Sequence, residues 1–244
     1  MCKQRKDFYR IISDLKVYPN RKNLTIHLDK IFEDINFKSK SVLDIGGGSG
    51  LHSFHAFLEG ASLVDCIEPE LDGSSSKMKQ NFFEIKKKLG AENVNFYSKT
   101  FQEYDCENER YDFILTYNVI NHLNEEACID VHKNPESKKK YEKIFHKFSK
   151  ILKPYGKILI ADCGNKNLFG DLGIRNPFAG DIDWKIHQEP NIWIDILKEQ
   201  GFHDLKINWS TFNSLGKTGR YFFENKFFSY LTLSHFYLWV EKNN

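Results

Sequence analysis

Ser41-Val42-Leu43-Asp44-Ile45-Gly46-Gly47-Gly48-Ser49-Gly50 is a short apolar run that breaks into glycine. Residues 42–45 are long enough for one buried strand and too short for a helix. Residues 51–60 have helical character, so the unit reads strand, tight turn, helix. That is the first unit of an open α/β sheet with a nucleotide at the turn. Glycine lets the backbone reach positive φ and lets a ligand approach without meeting a Cβ. The NAD fingerprint Gly-x-Gly-x-x-Gly fails here, because the sixth position counted from Gly46 is Leu51. That disfavours an NAD(P)-dependent oxidoreductase. Gly-x-Gly-x-Gly fits instead, as Gly46, Gly48 and Gly50, with Asp44 in the strand two positions earlier.

This arrangement resembles motif I of the class I S-adenosylmethionine (SAM) dependent methyltransferases. SAM carries a free ammonium and no pyrophosphate, so a carboxylate near the loop suits it better than bare helix-end N–H groups, which favour anions. The resemblance implies cofactor-binding roles for Asp44, Gly46, Gly47, Gly48 and Gly50. A second apolar strand, 63–67, ends in Glu68-Pro69-Glu70. In the family the acidic residue at that place accepts both ribose hydroxyls, and Glu68 matches it; one carboxylate can take two donors.

After a third strand, 93–97, many relatives set an acidic residue against the adenine amino group. The nearest side chain here is Thr100, a departure that leaves adenine to backbone groups and to packing by Phe101. The fourth strand, 111–117, runs into Asn118-Val119-Ile120-Asn121-His122-Leu123. This resembles the family's Tyr-Asn-Val-x-x-His-Leu segment, whose strand end lies beside the methionine part of SAM, so Asn118 joins the cofactor candidates. The Asn/Asp-Pro-Pro-aromatic motif of many nucleobase N-methyltransferases does not occur, which argues against exocyclic base amines. Likeness to the family is good over residues 41–160. Beyond it, Asn167-Leu168-Phe169, Asn176-Pro177-Phe178 and the run from Trp184 through His187-Gln188 and Pro190 to Trp193 look like small-molecule methyltransferases of bacterial surface-polysaccharide genes.

Composition sets the outer bounds. With 244 residues the chain suits one α/β domain with embellishments. The net charge of +2 is far from that of a non-specific nucleic-acid binder. Five cysteines, an odd number with no C-x-x-C pair, support neither a disulfide framework nor a zinc knuckle. No segment has the length and apolarity of a signal core or a membrane span, so a cytoplasmic protein without membrane or nucleic-acid partners is expected.

Around the glycine loop the periodicity predicts helices over 3–15 and through Leu24, Leu28, Ile31 and Ile35, then over 74–89, 125–132, 137–152 and 191–200. Strands are expected at 158–161, 202–209 and 235–241. Residues 163–189 and 211–234 read as irregular, and loops that long in a compact domain are usually functional. The expectation is a single Rossmann-like α/β domain with a seven-stranded mixed sheet, mainly parallel, and helices on both faces. By family resemblance the last strand is antiparallel. Residues 1–40 supply cap helices; 163–190 and 211–234 are substrate-covering insertions.

Methyl transfer from SAM is an in-line displacement from an activated donor, so the enzyme must align the nucleophile and, for a hydroxyl, remove its proton. Imidazole suits that task near neutral pH. His187, at the end of the first insertion, and His122, past the fourth strand, are the catalytic candidates. His122 also fits a structural role at the strand end. His52 and His55 share a helix face without an evident third ligand, so no metal is assigned. The covering segments carry Arg5, Lys6, Arg10, Arg21, Lys22, Lys166, Arg175 and Lys185, and the second insertion adds Lys217 and Arg220. Arginine suits bidentate recognition of phosphate. Arg175, Arg220 and Tyr9 are the substrate-binding candidates, for a small and anionic acceptor. The expected reaction is O-methylation of a sugar or phosphate-bearing precursor of a surface polysaccharide. N-methylation of a small amine and non-catalytic SAM binding are the alternatives.

Overall fold

The computed structural model describes residues 3–69, 77–180 and 182–243; the side chain of Lys217 lies outside the description, as do Glu70 and the expected helix start at Ser74. Two compact units result, Met1–Leu115 and Thr116–Asn244, and the division falls inside the fourth strand.

The first unit runs α1 (Lys3–Asp14), α2 (Arg21–Phe32), β1 (Ser41–Ile45), α3 (Leu51–Leu58), β2 (Leu63–Ile67), α4 (Lys77–Leu89), β3 (Val94–Tyr97) and the start of β4 (Tyr111–Tyr117). Phe8, Tyr9, Ile11 and Ile12 form the buried face of α1. Asn20 starts α2, its side chain accepting the Asn23 amide at 3.1 Å. All five residues of β1 are buried, as a strand covered on both faces requires. It pairs in parallel with β2 from Ser41–Leu63 to Ile45–Ile67, so both strands end at the same level. That register brings Gly46 and Glu68, the next residue of each strand, to one edge. Strand β2 pairs in parallel with β3. Asp65, in the middle of β2, is tolerated at 0% exposure because Tyr111 Oη donates to it at 2.6 Å and Arg110 pairs with it at 3.2 Å.

Behind the loop, His27 Nε2 lies 3.0 Å from His52 Nε2, and Phe32 stacks on His55. Burial lowers His52 to about 4; burial first, then His52 and Arg5, lowers His55 to about 3. These are neutral core rings at physiological pH.

The second unit continues β4 into α5 (Glu125–Asp130), α6 (Pro135–Ile151), β5 (Leu152–Cys163), α7 (Leu168–Asp171), α8 (Pro190–Glu199), β6 (Phe202–His203), β7 (Asn208–Trp209), α9 (Gly216–Phe223), α10 (Lys226–Tyr230) and β8 (His235–Lys242). Asn134 caps α6 and Pro135 occupies its first turn. The stripe Tyr141, Ile144, Phe145, Phe148 and Ile151 is buried, and Trp193 of α8 lies 4.8 Å from Tyr141, ring to ring. Strand β8 runs antiparallel to β5, from Cys163–His235 to Lys157–Glu241, as expected of the last strand.

Three expectations need correction. The strand read at 202–209 is two short strands, β6 and β7, each antiparallel to β8. Asp204, at φ 57, takes the chain out of the extended region between them. The segment 211–234 is largely helical, with α9 and α10 in it. Gly216 and Gly219 hid α9; a Cβ at Gly219 would come within 2.3 Å of Leu215 Cβ, a close approach only glycine permits. Strand β5 begins at Leu152, six residues before the expected start, and passes a left-handed Tyr155 at φ 59. The split sixth strand accounts for eight strands among the described residues in place of seven. The order is β3-β2-β1-β4 in the first unit; in the second, β4 is followed by β5, β8 and β6, with β7 also on β8. The fold is a mixed, mostly parallel α/β Rossmann-like sheet with helices around it. No helix among the described residues is long and apolar enough to cross a membrane.

Candidate active site

In the first unit, the chain leaves β1 through Gly46, whose amide donates to Ile67 O at 2.8 Å, and closes the turn with Gly50 N to Gly47 O at 2.8 Å. Gly46, Gly48 and Gly50 have φ of 66, 55 and 81, the left-handed region that disfavours other residues. The four glycines have different duties. A Cβ on Gly47 would come within 2.5 Å of Cys66 Sγ and 2.7 Å of Asp44 Oδ2; one on Gly50 would come within 2.6 Å of Phe82. These two let the loop lie close on its support. A Cβ on Gly48 would meet only Met78 Sδ at 3.6 Å, an ordinary contact, so the protein itself leaves room there.

Two carboxylates flank the loop. Glu68 Oε2 accepts the Gly48 amide at 2.9 Å. Burial raises the Glu68 carboxyl above its ordinary value, and the Gly48 bond offsets part of the rise. Asp44 is 1% exposed, and its Oδ2 accepts Ser53 N at 3.1 Å and Ser53 Oγ at 2.6 Å, tying the strand to the first turn of α3. Burial pushes Asp44 up to about 7 against these two Ser53 bonds, with a smaller upward push from Glu68. The loop therefore uses Asp44 as a staple, a role the sequence reading missed. Thr100 is committed locally, its Oγ1 donating to Glu103 Oε2 at 2.8 Å, and Phe101 is buried at 2% exposure.

In the second unit, Asn118 follows β4 at φ 54, an uncommon conformation that asparagine tolerates. Its amide donates to Ala161 O at 2.8 Å, and its Oδ1 lies 3.3 Å from His235 Nε2. His122 is half exposed and its Nδ1 is 2.6 Å from Glu125 Oε1. His187 is buried, and its Nδ1 lies 3.1 Å from Asp162 Oδ1 at the end of β5. The same Oδ1 accepts Cys163 N at 2.7 Å, while Oδ2 is buried with no hydrogen-bond partner among the described residues. Neither Asp162 nor His235 was picked out from sequence, because each acquires its partner only through the β5–β8 ladder and the fold of the insertion.

Each substrate candidate is held by local contacts. Arg175 is exposed and its guanidinium lies against Gly180, where a Cβ would come within 2.7 Å of Nε. Arg220 Nε bonds Glu224 Oε2 at 3.0 Å. Tyr9 is buried in the first unit with the Arg21 guanidinium 5.4 Å from its ring centre, beside a depression of about 410 Å³.

The first unit's loop fits SAM on this chemistry. It has an open Gly48, a carboxylate at the end of β2 able to accept hydroxyls, and a second carboxylate behind the turn. A family model described as a methyltransferase domain matches residues 36–201. The chain belongs to that methyltransferase family, and it is a SAM-dependent methyltransferase with SAM as its cofactor.

Solved structures agree on the fold. A candidate SAM-dependent methyltransferase from Listeria monocytogenes has a TM-score of 0.62 at 16% identity, over 91% of this chain and 98% of that one. A SAM-dependent methyltransferase from Aquifex aeolicus has a TM-score of 0.59 at 16% identity, over 94% and 97%. Phosphoethanolamine N-methyltransferase 2 of Haemonchus contortus, solved with phosphomonomethylethanolamine and S-adenosylhomocysteine, has a TM-score of 0.60 at 16% identity, over 99% of this chain and 58% of that one. Among curated sequences, the ribosomal protein L11 methyltransferase of Prochlorococcus marinus (strain MIT 9215) is 34% identical over 88 residues, 34% of this chain and 26% of its own length. The match thus spans about a quarter of that relative.

Proposed function

We propose that the chain methylates an oxygen of a small anionic acceptor, a sugar or phosphate-bearing precursor of a surface polysaccharide, with His187 as general base. The observation that carries this reading is the buried His187–Asp162 pair. Asp162 on Nδ1 fixes the tautomer that leaves Nε2 to take a proton, and stabilises the imidazolium that forms. The unpartnered Oδ2 of Asp162 adds to that stabilisation. Bound SAM supplies an activated methyl group on a sulfonium. The chain's own work is to seat the cofactor with Gly48 and Glu68, to align the acceptor hydroxyl and to hold its proton on His187. His122, already on Glu125, is the reserve base. Arg175 and Arg220, both in the second unit, belong to the reading as acceptor contacts; Arg220 would exchange Glu224 for the ligand. The odd set of cysteines without a C-x-x-C pair favours a reducing cytoplasm.

N-methylation of a small amine is the second reading, favoured by the Haemonchus neighbour, which holds an aminophosphate. The test of both is S-adenosylhomocysteine formation across a panel of hydroxyl and amine acceptors, with and without a phosphate. Turnover of phosphorylated alcohols supports the first reading; turnover of amines alone replaces it with the second.

A further inference from the structure

The geometry points to a cavity in the second unit as a further binding site, apart from the His187 base and built for a small molecule that carries both a phosphate and hydroxyl groups. Such a site goes beyond the methyl-transfer chemistry assigned to His187. The cavity holds about 770 Å³, within the range of small-molecule sites. None of His187, His122, Arg175 and Arg220 lines it. Its position is set by the ladder: Gly164, which follows β5, donates to Ser234 O at 2.8 Å, and Ser234 is part of the wall. The next residue, His235, reaches Asn118. The wall is thus one residue from the side chain that holds the end of β4.

The lining selects the ligand. Lys166 and Lys226 both face the cavity, are exposed, and form no ion pair among the described residues. Asn191 and Ile192, in the first turn of α8, line it too, and no side chain caps that helix. Pro190 has no N–H and the Ile192 amide donates to Glu189 O at 3.0 Å, so the helix adds to the preference for an anion through its dipole. Gln188 is 2% exposed, and its Nε2 donates to Cys128 O at 2.6 Å and Ile129 O at 3.3 Å. Those bonds fix the amide and assign Oε1 as an acceptor for a ligand hydroxyl.

Two carboxylates also line the cavity. Asp171 accepts Tyr230 Oη at 2.9 Å, and Glu189 accepts the Lys166 amide at 3.2 Å. They repel a bare anion and accept from hydroxyls, so a phosphate alone is a poor match and a hydroxylated phosphate a good one. Trp209 and Tyr230 supply the apolar walls.

Calorimetric titration of the full chain with glycerol 3-phosphate, inorganic phosphate and glycerol tests the assignment. Glycerol 3-phosphate should bind most tightly and glycerol not measurably. Lys166→Ala/Lys226→Ala should weaken glycerol 3-phosphate by about tenfold or more, the value of charge-assisted bonds. Gln188→Leu should remove the advantage of glycerol 3-phosphate over phosphate. Equal affinity in wild type and the double lysine variant, or a preference for glycerol, overturns the proposal. SAM affinity, measured on the same samples, stays at the wild-type value in every case, which separates this site from the methyltransferase reading itself.

Discussion

Glu68 Oε2 accepts the amide proton of Gly48 at 2.9 Å, joining the residues that follow β1 and β2. The parallel register makes this bond, since Ile45 and Ile67 are partners. It also holds the Glu68 carboxylate at the loop, where two vicinal hydroxyls could share it. Glu68→Gln keeps an oxygen for Gly48 and loses the charge. It should weaken SAM by about tenfold, and Glu68→Ala by more, with little change in melting temperature. Titration calorimetry with SAM checks this; wild-type affinity in Glu68→Ala would remove Glu68 from the cofactor site.

The glycines should separate folding from binding. Gly50→Ala forces a side chain against Phe82 at φ +81 and should cost about 1–3 kcal/mol of stability. Gly48→Ala meets only Met78 and should cost about 1 kcal/mol, from its φ alone. A larger side chain, Gly48→Val, should abolish SAM binding because the ligand must approach there. Thermal melts with and without SAM distinguish them: the Gly50 variant melts lower in both, and Gly48→Val loses the SAM-dependent rise.

Asp44 gives a pH signature. Its folded value near 7 lies above the ordinary 3.8, so between these limits the folded chain holds a proton the unfolded chain has lost. Stability should fall as pH rises from about 4 to about 7 and then level off, by on the order of 4 kcal/mol in all. Asp44→Asn should flatten that slope. Chemical denaturation at a series of pH values reads it directly, and an unchanged slope in the variant would assign it to other groups.

The glycine loop was legible because it is written in contiguous residues with a fixed spacing, whereas the antiparallel last strand followed from family resemblance alone. Helix α9 was not legible, since Gly216 and Gly219 lower its helix propensity, and the close approach of Gly219 to Leu215, four positions earlier, exists only once the turn has formed. The β6–β7 break was hidden because a left-handed Asp204 has no apolar signature. His187 was legible as a candidate, but its partner Asp162 lies 25 positions away and is brought to it by folding. Lys166 was visible only as one cation among many; its place on the cavity wall depends on how residues 163–189 pack.

General-base catalysis by His187 is the step to measure. The most direct measurement is the rate of S-adenosylhomocysteine formation by His187→Ala, with a hydroxyl acceptor that the wild-type chain turns over. In His187→Ala kcat should fall by about 10²–10⁴-fold while SAM affinity is unchanged, with Asp162→Asn falling in the same direction. A wild-type kcat in His187→Ala would contradict it.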